Sequence, residues 1–401
     1  MQNFVFISPH FPDSFVRFVK ALKKNGFRVL GIGDCPYFDL SQELRDNLDE
    51  YYLCYDMDNF ENEVNAVRYF ENKYGHIDYI ESNNEYWLEK DAKLREIFHV
   101  NTGPKGNEIA FYQHKSLMKS RYEKAGAKVA KWMLIDKDTN IEAIEAFIEK
   151  YQYPVFAKPD MGVGAEGDFK IENAADLENF YNIRNKNVTY IMEQFVTGNI
   201  ISYDGICDEN GNVVFSASNF FPPSISDVVK EHQDVFYYTL PFVPKDLDRI
   251  GRKVIKAFEV SKRFFHLEFF RLTKDIVGLG KKNSIVALET NMRPAGGYTP
   301  DLIDFANSVD CYQIYADVIA FNESRQSDIY PHYFAACASR RDEHHYVHSE
   351  QEILEKYKNN VCAYGRYAKV FSGAMGDIYY MAKFNNIEEM NEFKDFVGER
   401  N

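Results

Sequence analysis

A chain of 401 residues, 45% hydrophobic and 27% charged, has the apolar material for a large core divided into two or three lobes, which excludes a disordered or low-complexity protein. Its 61 acidic side chains outnumber 47 basic ones, and a formal charge of −14 repels nucleic-acid backbones and anionic membrane surfaces, so small molecules are the expected partners. The cysteines are scattered with no Cys-x-x-Cys pair, Met1 heads no basic leader, and no apolar run approaches a membrane helix; buried thiols in the cytoplasm are the expectation.

The first elements read strand, helix, strand. Phe4 to Ile7 is a short apolar run, Phe15 to Lys24 has helical spacing and ends at Asn25-Gly26, and Phe27 to Ile32 is apolar again. Tyr51 to Tyr55, the amphipathic Phe60 to Lys73 and Ile77 to Glu81 continue the alternation, so residues 1–112 are expected to form a parallel α/β domain. Glu81-Ser82-Asn83-Asn84-Glu85 then follows a strand where such domains present ligand groups, and Glu85 reads equally as a substrate contact or a loop cap.

The next region opens with a helix from Ser116 to Ala125, a turn at Gly126, an extended run Val129 to Ile135 and a helix Ile141 to Lys150. Short β-rich runs follow at Tyr153 to Lys158, Phe169 to Ile171, Tyr190 to Val196, Ile200 to Cys207 and Val213 to Ala217, separated by turn residues, which predicts antiparallel hairpins. Gly162, Gly164 and Gly167 spell G-x-G-x-x-G, but a dinucleotide-binding turn opens a helix, whereas Asp168-Phe169-Lys170-Ile171 continues as a strand. A glycine-rich loop between Lys158 and Lys170 instead suits a polyphosphate, because backbone N–H groups approach its oxygens closely while lysines supply charge. The plain alternative is a hairpin with surface lysines. Protein-kinase order is excluded, since the loop follows Lys158 and no His-Arg-Asp or Asp-Phe-Gly triplet occurs downstream.

Phe264 to Thr273 and Ser284 to Asn291 predict a further hairpin. Residues two apart on a strand share a face, so Glu289, Asn291 and Arg293 project together, and Glu268 of His266-Leu267-Glu268-Phe269 can lie across from Glu289. Two carboxylates and an amide oxygen suit a hard cation such as Mg²⁺, and the planar fork of Arg293 suits phosphoryl or carboxylate oxygens; the alternative is an ion-pair patch on a solvated face. A helical stretch around Leu302 to Ala320 precedes a tail with strands near Tyr333 to Ser339 and Asp377 to Phe384. His344, His345 and His348 beside Asp342 and Glu343 read as solvated rather than chelating, and the aromatic segment Phe220 to Phe242 as a pocket wall or a packed loop.

In this order the motifs resemble those of the ATP-grasp superfamily, over residues 1–325, in the branch of carbamoyl-phosphate-synthase-like proteins, biotin carboxylase and L-amino-acid ligases. His114-Lys115, Phe156-Ala157-Lys158-Pro159, Gly162 to Gly167, Glu193-Gln194-Phe195-Val196, His266-Leu267-Glu268-Phe269 and Leu288-Glu289-Thr290-Asn291-Met292-Arg293-Pro294 carry the resemblance. It implies a mixed α/β and α+β ATP-grasp fold: an N-terminal parallel domain over 1–112, a small lobe over 113–195, a large lobe over 196–325 and a C-terminal accessory lobe over 326–401. It implies that Lys115, Lys158, Gly162, Gly164 and Gly167 bind ATP phosphates and that Glu193, Gln194 and Val196 line the adenine pocket. Glu268, Glu289 and Asn291 would hold Mg²⁺ or Mn²⁺, while Arg293 and Lys158 would serve catalysis.

The activity so implied is ATP-dependent ligation of a small carboxylate to an amine through an acyl phosphate, releasing ADP and phosphate, with a homodimer expected by analogy. Two departures stand out. His114 replaces the usual aspartate, and Asn199-Ile200-Ile201-Ser202 lacks the glutamate that commonly precedes this serine, which removes a ribose contact. A non-catalytic ATP-binding regulator, and an enzyme that forms carbamoyl or acyl phosphate with ammonia or bicarbonate, are alternatives sharing the same ATP-site residues.

Overall fold

The patterning resolves into three sheets in the computed structural model, which describes residues 1–162, 167–221, 233–327 and 331–401. Strands Glu50–Leu53, Arg28–Gly33, Asn3–Ile7 and Tyr79–Glu81 lie side by side in that order, all parallel. Both faces are covered, as a parallel sheet requires. Phe4 and Phe6 point into one core while Val5 and Ile7 point into another. On the first side, Phe18 of helix Val16–Lys24 meets Tyr312 and Tyr315 of helix Cys311–Phe321 edge-on, with centroids 4.7 and 5.2 Å apart.

The second sheet is antiparallel, in the order Trp132–Ile135, Tyr190–Gln194, Val155–Pro159, Phe169–Ile171. It carries a helix that the strand-dominated reading omitted, Ala174–Ile183, started by the Asn173 side chain accepting from the Asp176 amide at 3.1 Å. The third sheet runs Ile285–Asn291, Arg263–Leu272, Gly198–Cys207, Asn219–Phe221, Phe236–Thr239, Phe334–Arg340, Ile378–Phe384, Val361–Arg366, with Val213–Ala217 beside Gly198–Cys207. Strands of the tail after residue 325 thus extend the sheet that contains the polar hairpin.

Two further differences have local causes. The stretch read as one helix from Leu302 to Ala320 is two, Thr299–Asn307 and Cys311–Phe321, because Ser308 takes the left-handed conformation and Asp310 caps the second helix. Helix Lys245–Ala257, also omitted, presents Leu247, Gly251, Val254 and Ile255 to the large sheet at helical spacing. His344 pairs with Asp234, while His348 stacks on Phe396 and pairs with Glu399, so each of these two histidines has its own protein partner. All six cysteines are free thiols, and among the described residues no helix is long and apolar enough to cross a membrane.

Gly251 is where helix Lys245–Ala257 touches the sheet most closely: a Cβ there would sit 2.2 Å from the buried Tyr203 ring, whose hydroxyl donates to Asp248 at 2.7 Å. Gly251→Ala is therefore expected to lose about 1–2 kcal/mol net, because overpacking outweighs the roughly 1 kcal/mol gained in helix propensity. A lower urea midpoint with an unchanged m-value would register it.

Candidate functional site

Strand Arg263–Leu272 pairs on one side with Ile285–Asn291, setting His266 opposite Asn291 and Glu268 opposite Glu289. On its other side it pairs with Gly198–Cys207, setting Asp204 opposite His266 and Ser202 opposite Glu268. Directly opposed residues share a face, so six polar side chains line up across three strands. The intervening residues Ile201, Tyr203, Leu267 and Phe269 of the two longer strands are buried in an apolar core, and that alternation fixes their polar set.

His266 touches Asp204 Oδ1 through Nδ1 at 2.5 Å and Glu268 Oε1 through Nε2 at 3.2 Å. Burial alone would lower its pKa, but the two carboxylates push it up to about 10, so the ring is an imidazolium donating from both nitrogens. Burial works against the Glu268 charge, yet His266, Arg293 and Lys158 together hold this carboxyl below its usual range. Glu289 Oε1 lies 3.7 Å from Lys115 Nζ. Asn291 is buried, and among the described residues no group hydrogen-bonds its side-chain amide.

Lys115 opens helix Lys115–Lys124, and its ammonium also donates to the Gly162 carbonyl at 2.9 Å. Asp160 steadies this helix start: its carboxylate accepts from the Ser116 amide at 2.7 Å and lies 3.0 Å from His114 Nδ1. One turn on, Lys119 pairs with one oxygen of Glu193 while Lys158 stands 3.0 Å from the other. Burial opposes the charge on Glu193, but the two lysines bring its pKa down to about 2. Burial pushes Lys119 below the usual lysine value; in Lys158 the pull of Glu193 and Glu289 outweighs burial and raises it.

Arg293 Nε donates to Glu85 Oε2 at 2.8 Å, while Asn84 supplies the loop cap by accepting from the Tyr86 amide. Just before it, the Met292 carbonyl accepts from Arg263 Nε at 3.0 Å, and Arg263 and Arg95 share Glu81 Oε2 at 2.7 and 2.9 Å.

Of the residues singled out from sequence, the structure gathers Lys115, Lys158, Glu268, Glu289, Asn291 and Arg293 around one face. Gly162 and Gly167 border residues 163–166, so Gly164 lies outside the described residues, as do Pro222 and Pro223 of the aromatic segment. Val196 packs beside Ala130, Leu272, Leu279 and Val286, and the Gln194 backbone N–H donates to the Lys131 carbonyl at 2.8 Å. The Glu193 carboxylate is engaged by lysines rather than turned to this apolar cluster. Sequence reasoning missed Lys119, although it follows Lys115 by four on a helix, and Asp204, although it shares a face with Ser202. Among the described residues no three His, Cys, Asp or Glu side chains converge into a complete metal shell. The register sets Glu268 opposite Glu289 with Asn291 next on the same strand, a partial set of oxygen acceptors that could hold a hard cation taking its other ligands from phosphate and water.

No family model matches the chain. The sequence is 22% identical over 259 residues to the L-arginine-specific L-amino acid ligase of Bacillus subtilis, an alignment spanning 63% of this chain and 60% of that protein's length. The crystal structure of an L-amino acid ligase from Bacillus licheniformis superposes with a TM-score of 0.71 at 16% identity, covering 98% of this chain and 96% of that one. The biotin carboxylase domain of the Hydrogenobacter thermophilus 2-oxoglutarate carboxylase, solved with MgADP and bicarbonate, superposes with a TM-score of 0.69 at 15% identity, covering 98% and 89%.

The buried Glu193 cluster sets a pH dependence. A carboxyl whose pKa falls from 4.5 to about 2 on folding stabilises fully above pH 4.5 and loses that contribution as pH falls through about 2. Glu193→Gln, which strands two buried lysines, should cost about 3–5 kcal/mol at pH 7. Urea unfolding should find the gap from wild type narrowed by about 1 kcal/mol at pH 4, and a gap independent of pH would contradict the assignment.

Proposed function

We propose that this chain, which has the ATP-grasp fold, is an ATP-dependent ligase that activates a small carboxylate as an acyl phosphate and joins it to an amine, releasing ADP and phosphate. The reading is carried by one observation: Glu268 and Glu289 face each other beside Asn291, within the electrostatic reach of Lys115, Lys158 and Arg293. The likeness to two L-amino acid ligases supports an amine as the nucleophile, and the MgADP in the carboxylase domain supports ATP with Mg²⁺.

In this reading the nucleotide lies between the small antiparallel sheet and the large sheet, with its phosphates near Lys115, Lys158, Gly162 and Gly167 and its adenine along the 193–196 segment. Glu193 contributes by fixing Lys119 and Lys158, and Val196 by offering an apolar surface. Glu268, Glu289 and Asn291 would hold Mg²⁺, or Mn²⁺ through the same oxygens, supplying positive charge beside the phosphates.

A free carboxylate resists an amine because it is anionic and lacks a leaving group. Its oxygen therefore attacks the γ-phosphorus of ATP and ADP departs; the amine then attacks the carbonyl carbon and phosphate departs. Lys158 and Arg293 donate to the equatorial oxygens as charge spreads over them, and both are already held in place, by Glu193 and Glu85 respectively, so little reorganisation accompanies transfer.

A phosphate-release screen of amino acids and small acids, singly and in pairs, with ATP and Mg²⁺ tests the reaction: release that requires a pair is expected, and no release with any pair contradicts ligation. With an active pair, Glu289→Gln should lower kcat at least about 100-fold, equivalent to roughly 2.7 kcal/mol, with its melting temperature retained. Near wild-type turnover would remove Glu289 from the site. Lys158→Ala should weaken ADP binding measured by calorimetry, and unchanged affinity would exclude its phosphate contact.

A further inference from the structure

The polar row does not stop at the three strands of the site. The Asp204 carboxylate accepts on Oδ2 from the Ser202 hydroxyl and from Asn219 Nδ2, the latter at 2.7 Å. The Asn219 side-chain oxygen in turn accepts from the Thr239 hydroxyl, and its backbone N–H donates to Ser202 Oγ at 3.1 Å. Ser202, Asn219 and Thr239 are fully buried, Asp204 is 3% exposed and His266 6%. The network therefore crosses the sheet from Phe236–Thr239 through Asn219–Phe221 and Gly198–Cys207 to the hairpin.

Burying this many polar groups is costly unless each is satisfied, and apolar residues would fill a sheet interior more cheaply. Every donor here has one direction. Thr239 serves Asn219, Asn219 and Ser202 serve Asp204, and Asp204 fixes the Nδ1 edge of His266. The imidazole is left with one N–H, which reaches Glu268 Oε1. Because both ring nitrogens are committed to protein carboxylates, His266 has no edge left for a nucleotide or an acyl group.

We propose that Asp204 and His266 are positioning residues, which hold the Glu268 carboxylate in a single orientation by occupying one oxygen and leaving the other for a cation. The proposal rests on Glu268 being a cation ligand, as in the function proposed above. Outer partners of metal-ligating carboxylates commonly alter metal affinity by about 10–100-fold when removed.

Two amide substitutions separate the contacts of the ring, since an asparagine amide reaches where Nδ1 stands and a glutamine amide where Nε2 stands. Mn²⁺ affinity in the presence of ADP, measured by electron paramagnetic resonance, should fall about 10–100-fold in His266→Asn. In His266→Gln, which keeps a donor to Glu268, it should fall by only about threefold, and ADP affinity in EDTA should hold in both. The reverse order, or equal losses that track a lower melting temperature, would assign His266 to packing and overturn the proposal. Should His266→Asn fail to fold, the isosteric Asp204→Asn carries the same test: weaker Mn²⁺ binding with ADP affinity in EDTA intact supports the network, and unchanged Mn²⁺ binding overturns it. Wild-type protein that binds ADP but no Mn²⁺ would instead remove the cation itself, and with it both this proposal and the metal part of the proposed function.

Discussion

The register of one strand, Arg263–Leu272, between its two neighbours is the constraint on which the candidate site depends. A slip of one residue would turn His266 and Glu268 into the apolar core and bring Leu267 and Phe269 out to Glu289. Two features prevent it. Phe265 sits opposite Gly205, where a Cβ would approach the ring at 2.7 Å and the Phe215 carbonyl oxygen at 2.1 Å, so only this pairing gives the ring its space. At the strand's start Arg263 is bonded to Glu81 of the N-terminal sheet and to the Met292 carbonyl. Burial works against the charge on Glu81, but Arg263 and Arg95 keep it ionised. The same buried carboxylate thus ties the parallel sheet to the residue beside Arg293.

Charge at the site is concentrated and mutually compensated. In a chain of net charge −14, the lysines at 115, 119 and 158 are all buried, and each faces a carboxylate or a carbonyl. Glu193 is what makes two neighbouring buried lysines tolerable, Lys158 of the small antiparallel sheet and Lys119 of the helix Lys115–Lys124. In the proposed reaction such preorganisation has a functional meaning, because charges fixed before a substrate arrives do not have to be reordered during phosphoryl transfer.

Much of this arrangement was legible in the sequence wherever period two or the β–α–β alternation was strong. The hairpin of Glu268 and Glu289 is readable because His266-Leu267-Glu268-Phe269 alternates polar with apolar and Glu289 and Asn291 stand two apart after the apolar run Ile285 to Leu288. The parallel sheet is readable because Phe4 to Ile7 and the largely apolar Phe27 to Ile32, broken only by Arg28 and Gly31, flank an amphipathic helix. Helices Ala174–Ile183 and Lys245–Ala257 escaped notice because they lie among strand-rich segments, and Gly251 interrupts the apolar face of the second. Lys119, Asp204 and the donor role of His266 escaped for a different reason. Lys119 and Asp204 take their meaning from partners 74 and 62 residues away, which no local pattern encodes, and His266 touches Glu268 two residues on but is oriented by the distant Asp204. The continuity of the tail with the large sheet is likewise a matter of long-range pairing, between Phe236–Thr239 and Phe334–Arg340.

The claim that these side chains form a single cation-and-phosphate centre is tested most directly by anomalous scattering from crystals grown with Mn²⁺ and ADP. The expected result is a manganese peak bonded to Glu268, Glu289 and Asn291 and to a phosphate oxygen, with the lysines at 115 and 158 beside the phosphates. A peak elsewhere, or ADP bound away from the hairpin, would contradict the account.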